Sequence, residues 1–427
     1  MLTVGVLTTI GFATVYIALK SQISGGSLGY AVFFFGLYLV AHVVARRTVP
    51  LADPYLLPMA ALLTAIGVTE IYRLGPPSNA FRQGLWIVFG VVAFSATLFW
   101  LRSDYRALER YKYVFGVTAL GLLFLPRLPV IGETINGSRL WIHVGSFQIQ
   151  PGELGKIALI VFLAAYLREK REVLAQGRLK DWGPLLVIWG GAMLLLFVTN
   201  DLGSALLYYG IFLALLYVAT ARISFVAGAL GLFVVGAFGI AYLRPHVHER
   251  VTNWLSPWST HTIYCPLSGR PALRQDCQSY QLVQSLYSLG HGGFGGTGLG
   301  HGIFTSTSGQ QVIPDLNTDF IYSALAQELG LIGVAALLLL YMAFVLRGFR
   351  IALTASDGFS KLLAAGLSFG FAFQTFVIVG GITRVIPLTG ITLPFVSYGG
   401  SSVVANFLLV AGLLLISHRA NRQEAGA

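Results

Sequence analysis

Asp319 is the carboxylate whose position best suits a chemical role. It lies in the segment Pro-Asp-Leu-Asn-Thr-Asp-Phe, between a Gly-rich stretch and a long apolar run that begins at Phe320. A carboxylate at such an edge can act as a general base that takes a proton from a bound hydroxyl group. It can equally cap the helix that the apolar run predicts. The residues themselves leave both roles open.

Three further charged residues stand at the start of apolar runs. Pro151 suits the first position of a helix, which places Glu153 and Lys156 on one helix face as i,i+3 neighbours. This pair predicts either an internal ion pair or a cation held near an anionic substrate. Asp201 follows Asn200 before another apolar run. It is expected to cap the N-terminus of that helix, with substrate binding as the alternative.

Arg139 and Trp141 form a third candidate, in the segment Gly-Ser-Arg-Leu-Trp. Arginine can form two parallel hydrogen bonds to a phosphate, and tryptophan offers an aromatic face for stacking on a sugar. The alternative is an interfacial tryptophan beside an arginine that extends its charge into water.

The two cysteines of the chain, Cys265 and Cys277, share one long connection between apolar runs. In an oxidising compartment they predict a structural disulfide that closes a loop of about a dozen residues and contributes roughly 3 kcal/mol. Two free thiols are the alternative.

Two motif-like patterns lack the context that their chemistry needs. Residues 293–298 match the pattern G-x-G-x-x-G, but no strand precedes them and no βαβ unit surrounds them, so we exclude a dinucleotide site. His246, His248, His291 and His301 have no acidic or cysteine cluster at ligand spacing. We therefore predict no metal site.

Composition defines the elements that must position these residues. The chain has 427 residues, of which 56% are hydrophobic and 11% are charged. Soluble globular chains carry about 25% charged residues, and the mean hydropathy here is +0.74. These values exclude a soluble enzyme, a secreted disulfide scaffold and a disordered protein. The polar–apolar alternation of an outer-membrane barrel is also absent. We predict an all-α, polytopic transmembrane bundle.

Long apolar runs provide the spans of this bundle, since a transmembrane helix needs about 20 apolar residues. Twelve runs predict about twelve spans: 2–20, 28–46, 54–72, 83–101, 111–128, 152–168, 182–199, 202–220, 223–243, 320–346, 361–384 and 399–418.

The basic residues predict the orientation in the membrane. The net charge is +11, and most Lys and Arg residues fall in alternate connections. If the N-terminus is inside, the outside connections before residue 244 hold only Lys20, Arg73, Arg82, Arg127 and Arg139. The positive-inside rule then places both termini in the cytoplasm. Topology and anionic membrane lipid account for the charge, so we expect no nucleic-acid partner.

Three connections on the predicted outer side are unusual. Residues 129–151 and 244–318 are long, and long loops are commonly functional. Residues 383–402 are rich in Pro, Gly and Ser yet apolar enough to re-enter the membrane. Non-helical backbone at that depth must be buried in protein or line a cavity. No soluble domain boundary is visible, so residues 1–427 form a single membrane domain.

Five of these segments together resemble the SEDS family of shape, elongation, division and sporulation proteins. In chain order they are Gly137-Ser138-Arg139-Leu140-Trp141 with residues 150–156 (QPGELGK), Asp201-Leu202-Gly203-Ser204, Tyr280-Gln281 with the Gly-rich run after it, Thr318-Asp319-Phe320 with Glu328-Leu329-Gly330, and residues 387–402 (PLTGITLPFVSYGGSS). Any one segment is a weak signal, but the five in this order over 137–402 are specific.

The resemblance implies a peptidoglycan glycosyltransferase that polymerises lipid II, carried on undecaprenyl pyrophosphate, at the outer face of the cytoplasmic membrane during cell elongation or division. It also implies a class B penicillin-binding protein as partner. The family's presumed catalytic aspartate corresponds to Asp319. The resemblance further implies a set of substrate-binding residues: Arg139, Trp141, Glu153, Lys156, Asp201, Gln281, Thr318, Arg384, Ser397 and Ser401.

No cofactor is certain from these residues. A divalent cation, Mg²⁺ or Mn²⁺, could share the stabilisation of a departing pyrophosphate with Arg139, Lys156 and Arg384.

Two of the departures from the family pattern bear on the fold and on the mechanism. Five predicted spans precede the Gly-Ser-Arg-Leu-Trp segment where three are usual, so we expect an extra helical pair at 1–50 and a family-like core at 51–427. Asn317 stands where histidine is common, which argues against a histidine-assisted proton relay.

Three other functions fit some of these features. A lipid-linked precursor flippase or transporter also has about twelve helices and intramembrane charges. Another lipid-linked sugar polymerase or ligase, or a non-catalytic scaffold of a cell-wall complex, are further alternatives.

Overall fold

The computed structural model describes residues 1–20, 25–129, 131–135, 138–145, 147–175, 182–243, 245–265, 269–306 and 311–425. Helices dominate these residues. They are α1 (Leu2–Lys20), α2 (Gly25–Thr48), α3 (Leu56–Leu74), α4 (Pro77–Leu101), α5 (Ala107–Arg110), α6 (Lys112–Phe124), α7 (Pro151–Ala175), α8 (Gly183–Val198), α9 (Leu202–Thr220), α10 (Ile223–Leu243), α11 (Pro245–Leu255), α12 (Tyr280–Gly292), α13 (Ile321–Thr354), α14 (Gly358–Ile382) and α15 (Gly400–Ala425).

Each of the twelve predicted apolar runs coincides with one of these helices. Eight of the described helices are long and apolar enough to cross a membrane: α1, α2, α3, α4, α9, α13, α14 and α15. Of the other four, α6 and α8 are shorter, with 13 and 16 residues, and α7 carries more charge. The fold class is confirmed and the chain is a multi-pass membrane protein, while the number of twelve spans stays a prediction.

Two small antiparallel sheets lie in the two long connections and were not predicted. Strands β1 (Gly132–Ile135), β2 (Ser138–Val144) and β3 (Phe147–Ile149) form the first sheet in that order. Strands β4 (Thr262–Cys265) and β5 (Arg270–Leu273) form the second. Strands of three to seven residues are too short to reveal an alternating pattern in a sequence. The motif Gly-Ser-Arg-Leu-Trp begins at Gly137, one residue before β2. Gly137 lies outside the described residues.

The second sheet carries the predicted disulfide. Cys265 ends β4 and is bonded to Cys277, and both side chains are buried. The cross-link closes the 12-residue separation between them within the long connection.

The segment 383–399 is non-helical, and its second part, residues 391–397, is mostly buried against helices. Its re-entry into the membrane stays a prediction. Phe395 and Val396 are each 1% exposed or less. A Cβ atom added to Gly67 of α3 would lie 2.4 Å from the Val396 carbonyl oxygen, so only glycine permits this approach. The start of α9 makes a similar contact, because a Cβ on Gly203 would lie 2.8 Å from the Thr389 carbonyl oxygen.

Helix α13 is interrupted near its start. Gly330 has φ 66° and ψ −174°, which is not a helical conformation. The segment 293–302, called the Gly-rich loop below, supplies hydrogen bonds at this break: Leu331 N–H donates to the Gly293 carbonyl at 2.9 Å. Backbone freed by a helix break at membrane depth needs such partners. The break therefore joins the Gly-rich loop to the helix that follows Asp319.

Candidate active site

Asp319 lies directly before α13, and its side chain is half-buried. The N-cap position of the helix is occupied by Phe320. No hydrogen bond from another residue in the described ranges reaches the Asp319 carboxylate. Of the two roles that the sequence left open, capping is therefore not the one observed. The carboxylate oxygen atoms can therefore accept a hydrogen bond or a proton from another partner.

The loop 383–399 positions the backbone of this segment. Ser397 Oγ donates a hydrogen bond to the Thr318 carbonyl at 2.5 Å and accepts one from Leu393 N–H at 2.9 Å. Tyr398 N–H donates to the Asn317 carbonyl at 2.9 Å. These bonds give the buried Ser397 hydroxyl a role in positioning the backbone before Asp319, while its contact with substrate stays a prediction.

The same loop approaches the carboxylate itself. Gly390 has φ 72°, and a Cβ atom added there would lie 3.3 Å from Asp319 Oδ2. The turn at Gly390 thus forms one wall beside the carboxylate. Thr389, its neighbour, has a buried hydroxyl without a hydrogen-bond partner in the described part of the chain.

Arg250 supplies a positive charge that acts on Asp319, and it was not predicted from the sequence. Arg250 Nη1 donates hydrogen bonds to the carbonyls of Leu388 at 3.3 Å and Thr389 at 3.1 Å. The charges that act on its guanidinium come from Asp319, Asp201 and Glu249. Its helix, α11, is the polar segment PHVHERVTNWL inside a long connection, which was the available signal.

The pKa of Asp319 is raised to about 7. Burial is the main cause, because the charged form loses solvation. The negative charge of Asp315 raises the pKa further, while Arg250 lowers it. A pKa close to neutral pH suits a general base, which must be deprotonated and still basic enough to accept a proton.

Glu153 and Lys156 form a closed ion pair in the first turn of α7. Lys156 Nζ lies 2.8 Å from Glu153 Oε2 and donates a second hydrogen bond to Gln374 Oε1 at 2.6 Å. The two side chains are 9% and 3% exposed. Of the two sequence interpretations, the structure contains the internal ion pair.

Asp201 occupies the N-cap of α9, as expected, and its Oδ1 accepts the Ser204 N–H at 2.9 Å. The charges of Glu153 and Arg250 act on it. Asp201 is therefore close enough to both Glu153 and Arg250 to sense their charges, and its role in substrate binding stays a prediction.

Arg139 and Trp141 lie on β2, where the arginine is bonded to its own connection. Arg139 Nη2 donates to the carbonyls of Leu128 at 3.1 Å and Gly132 at 3.3 Å. Trp141 is half-buried opposite Glu133 in the strand register. None of the described contacts of Arg139 involves Asp319.

Arg384 connects the loop 383–399 to α11. Its Nε and Nη2 each donate a 2.8 Å hydrogen bond, to the carbonyls of Trp254 and Leu255 respectively. The guanidinium also lies 5.4 Å from the ring centre of Trp258. Because α11 carries Arg250, these bonds help to position that second arginine.

No described contact joins the remaining predicted residues, Gln281, Thr318 and Ser401, to the Asp319 carboxylate. Gln281 is half-buried at the start of α12, and Thr318 Oγ1 donates to the Asp315 carbonyl at 2.9 Å. Ser401 Oγ accepts the Gln150 N–H at 3.1 Å. That bond joins the start of α15 to the residue before α7.

A divalent cation at Asp319 stays a prediction, because Mg²⁺ commonly binds through one or two carboxylates together with substrate phosphates. Within the described ranges, no three His, Cys, Asp or Glu side chains are placed to hold a metal ion. The charged neighbours of Asp319 are one carboxylate and one guanidinium.

Comparison with known proteins decides the family. The FtsW, RodA and SpoVE family of cell cycle proteins matches residues 49–423. The chain belongs to this family. Peptidoglycan glycosyltransferase RodA of Mycobacterium bovis is 40% identical over 413 residues, which cover 92% of this chain and 84% of the relative. Stage V sporulation protein E of Bacillus subtilis is 34% identical over 383 residues, covering 88% of this chain and 99% of the relative.

Solved structures of FtsW/RodA/SpoVE-like proteins share the fold. A structure described as "Structural coordination of polymerization and crosslinking by a peptidoglycan synthase complex" matches with a TM-score of 0.70 and 28% identity, covering 87% of this chain and 99% of that chain. The crystal structure of Thermus thermophilus rod shape determining protein RodA matches with a TM-score of 0.61 and 27% identity, covering 86% of this chain and 97% of that chain. The family resemblance predicted from five segments is confirmed.

Proposed function

We propose that Asp319 is the general base of a glycosyl transfer that extends peptidoglycan strands from lipid II. The chain is a peptidoglycan glycosyltransferase, a function supported by relatives of that name that are 40% identical over most of its length. The observation that carries the catalytic proposal is the half-buried Asp319 carboxylate, free of internal hydrogen bonds in the described structure and with a pKa of about 7.

The proposed reaction is a single displacement with inversion. The 4-hydroxyl group of an incoming lipid II sugar gives its proton to Asp319, and its oxygen forms a bond to C1 of the growing glycan. The bond between C1 and the pyrophosphate oxygen breaks, and undecaprenyl pyrophosphate leaves with the electron pair. An α-linked donor thus gives a β-linked product, and one base is sufficient.

We assign the stabilisation of the leaving pyrophosphate to Arg250, because it is the arginine whose charge acts on Asp319. A preorganised guanidinium stabilises charge that develops in the transition state. Arg139, Lys156 and Arg384 make internal bonds in this structure, so their direct contact with substrate stays a prediction.

We further propose that the site lies on the extracytoplasmic side and that both termini are cytoplasmic. The concentration of Lys and Arg in alternate connections supports this orientation. The proposed partner is a class B penicillin-binding protein that cross-links the new strands. Similarity to a structure described as a peptidoglycan synthase complex supports a partner of this kind.

Residues 1–50 are proposed to be an added helical pair on a core formed by residues 51–427. The family match begins at residue 49, between α2 and α3, which supports this division. Helices α1 and α2 pack against each other through Phe12 and Phe34, whose ring centres are 6.1 Å apart.

A gel assay tests the proposal. Purified protein, with and without its class B partner, is incubated with lipid II that carries a labelled sugar, beside the Asp319→Asn variant. Glycan ladders from the wild type alone support the proposal. A folded wild type that makes no ladder even with its partner would favour a flippase or a scaffold.

A further inference from the structure

A buried charge cluster lies apart from Asp319, between α3 and α13. Arg73 Nε is 3.3 Å from Glu328 Oε1, and their side chains are 16% and 0% exposed. Glu70 lies one turn before Arg73 on α3 and is 1% exposed. Neither oxygen of its carboxyl group has a hydrogen-bond partner in the described ranges. Two buried carboxyl groups thus lie near one guanidinium, which is paired with Glu328 only.

The carboxylate of Glu328 holds the Gly-rich loop. Its Oε2 accepts the Gly300 N–H at 2.8 Å, and its Oε1 accepts the Gly302 N–H at 3.1 Å. Arg73 Nη2 donates to the Gly302 carbonyl at 2.8 Å. The loop is therefore bonded to both members of the ion pair.

The same loop fills the break in α13 with backbone hydrogen bonds. Thr297 N–H donates to the Gln327 carbonyl and Gly298 N–H to the Glu328 carbonyl, both at 2.9 Å. A Cβ atom added to Gly296 would lie 2.1 Å from the Glu328 carbonyl oxygen, so the loop and helix backbones are in direct contact. The first part of α13, which follows Asp319, is thus attached to α3 through this loop.

Helix α1 covers another side of the loop. A Cβ atom added to Gly300, which has φ 84°, would lie 2.5 Å from the Cβ of Ala18. The added helical pair thus contacts the loop residue that Glu328 holds.

We propose that Arg73 and Glu328 are positioning residues of the glycosyl transfer site, and that Glu70 is a second acceptor for Arg73 when the Gly-rich loop is released. Arg73 and Glu70 are i,i+3 neighbours on α3, so the guanidinium can reach either carboxylate without moving the helix. A buried carboxyl group without a partner is costly to retain. A second position of Arg73 gives Glu70 that partner. The inference rests on the proposed function for its kinetic consequence only.

The test combines loop protection with polymerisation kinetics in the full-length protein with its class B partner. Hydrogen exchange by mass spectrometry follows the amides of residues 293–302, and labelled lipid II gives kcat and KM. The variants are Arg73→Gln, Arg73→Lys, Glu328→Gln and Glu70→Gln. Arg127→Gln is the matched control, because Arg127 also donates to a backbone carbonyl, that of Val198, away from the loop.

We expect Arg73→Gln and Glu328→Gln to raise exchange in the loop about tenfold or more. They should lower kcat about tenfold with KM changed less than about twofold, since a misplaced base affects chemistry more than binding. Arg73→Lys should recover part of both effects. Glu70→Gln, which removes the competing charge, should leave loop protection and kcat at or above wild-type values. The Arg127→Gln control should behave as wild type in the loop.

Unchanged loop exchange in both Arg73→Gln and Glu328→Gln would overturn the proposal. So would faster exchange with normal kcat, because the two residues would then not position the site. If Glu70→Gln raised exchange in the Gly-rich loop as much as Arg73→Gln does, Glu70 would not be the second acceptor for Arg73. If Arg73→Gln does not fold, Glu328→Gln decides the test, since glutamine keeps the shape of the side chain. A wild type without polymerase activity would refute the proposed function, while the exchange data would still decide the role of the cluster.

Discussion

Two carboxylate–cation arrangements of this protein use the same residue types in different ways. Glu153 and Lys156 form a closed, buried pair whose cation has a further bond to Gln374. Asp319 and Arg250 form an open arrangement, in which the arginine is bonded to backbone carbonyls and the carboxylate is half-buried.

The difference shows what makes a buried charge available for chemistry. A carboxylate that already has its cation gains little by accepting a proton, because the pair would lose its compensating charge. A carboxylate that is desolvated but not bonded has a raised pKa and an available oxygen. We therefore expect substitutions in the Glu153–Lys156 pair to lower stability, and substitutions in the Asp319–Arg250 arrangement to lower the catalytic rate.

The largest effect is expected from Asp319→Asn. An amide cannot take the hydroxyl proton, so kcat should fall by about 10²- to 10⁴-fold. Thermal stability should stay within a few degrees of the wild type, because no described hydrogen bond is lost. Lipid II gels and thermal unfolding measure the two effects. Asp315→Asn, at an exposed position of the same segment, is the matched control at a pH well above about 7, where Asp319 is deprotonated with or without the charge of Asp315. Near-normal turnover by Asp319→Asn would remove Asp319 as the base.

Lys156→Met should act chiefly on stability. It leaves the buried Glu153 carboxylate without its cation, which costs about 3–5 kcal/mol. The double change of Lys156→Met with Glu153→Gln should recover much of this loss. Unfolding in detergent measures both variants. A single variant that is fully stable but inactive would instead favour direct contact of Lys156 with substrate.

Arg250→Gln should change the pH dependence of polymerisation. In the wild type, the rate should rise with pH through about 7 as Asp319 loses its proton. Arg250 lowers the pKa of Asp319, so its removal should move the midpoint of the profile to higher pH. A lower maximal rate should accompany the shift, because leaving-group stabilisation is lost. A profile with an unmoved midpoint would show that Arg250 does not act on the base.

The smallest effects are expected from two serines, one beside each arrangement. Ser397→Ala removes the bond to the Thr318 carbonyl and should lower kcat a few-fold. Ser401→Ala removes the acceptor of Gln150 N–H, before α7, and should cost about 1 kcal/mol of stability with little change in kcat. If both variants lost the same fraction of kcat, the Glu153–Lys156 pair and the Asp319–Arg250 site would not act independently.

Much of the fold could be predicted from the sequence, since apolar runs of membrane length form helices wherever they stand. All twelve predicted runs are helical, and Pro151 and Asp201 start α7 and α9 as their residue types indicate. The two small sheets could not be predicted, because pairing between short strands depends on hydrogen bonds across a turn. The break at Gly330 was also missed, since a glycine inside an apolar run resembles any other helical glycine.

The sequence by itself determined the membrane class, the helices, the family and the identity of Asp319 as the candidate base. These depend on local composition and on motifs that are contiguous in the chain. Only the tertiary structure decided that Arg250 and Asp319 belong to one site and that Glu153 and Lys156 form a closed pair with Gln374. It also brought Arg73 to Glu328, 255 residues further along the chain. Such pairings depend on which helix faces meet, and that is decided by packing between distant segments.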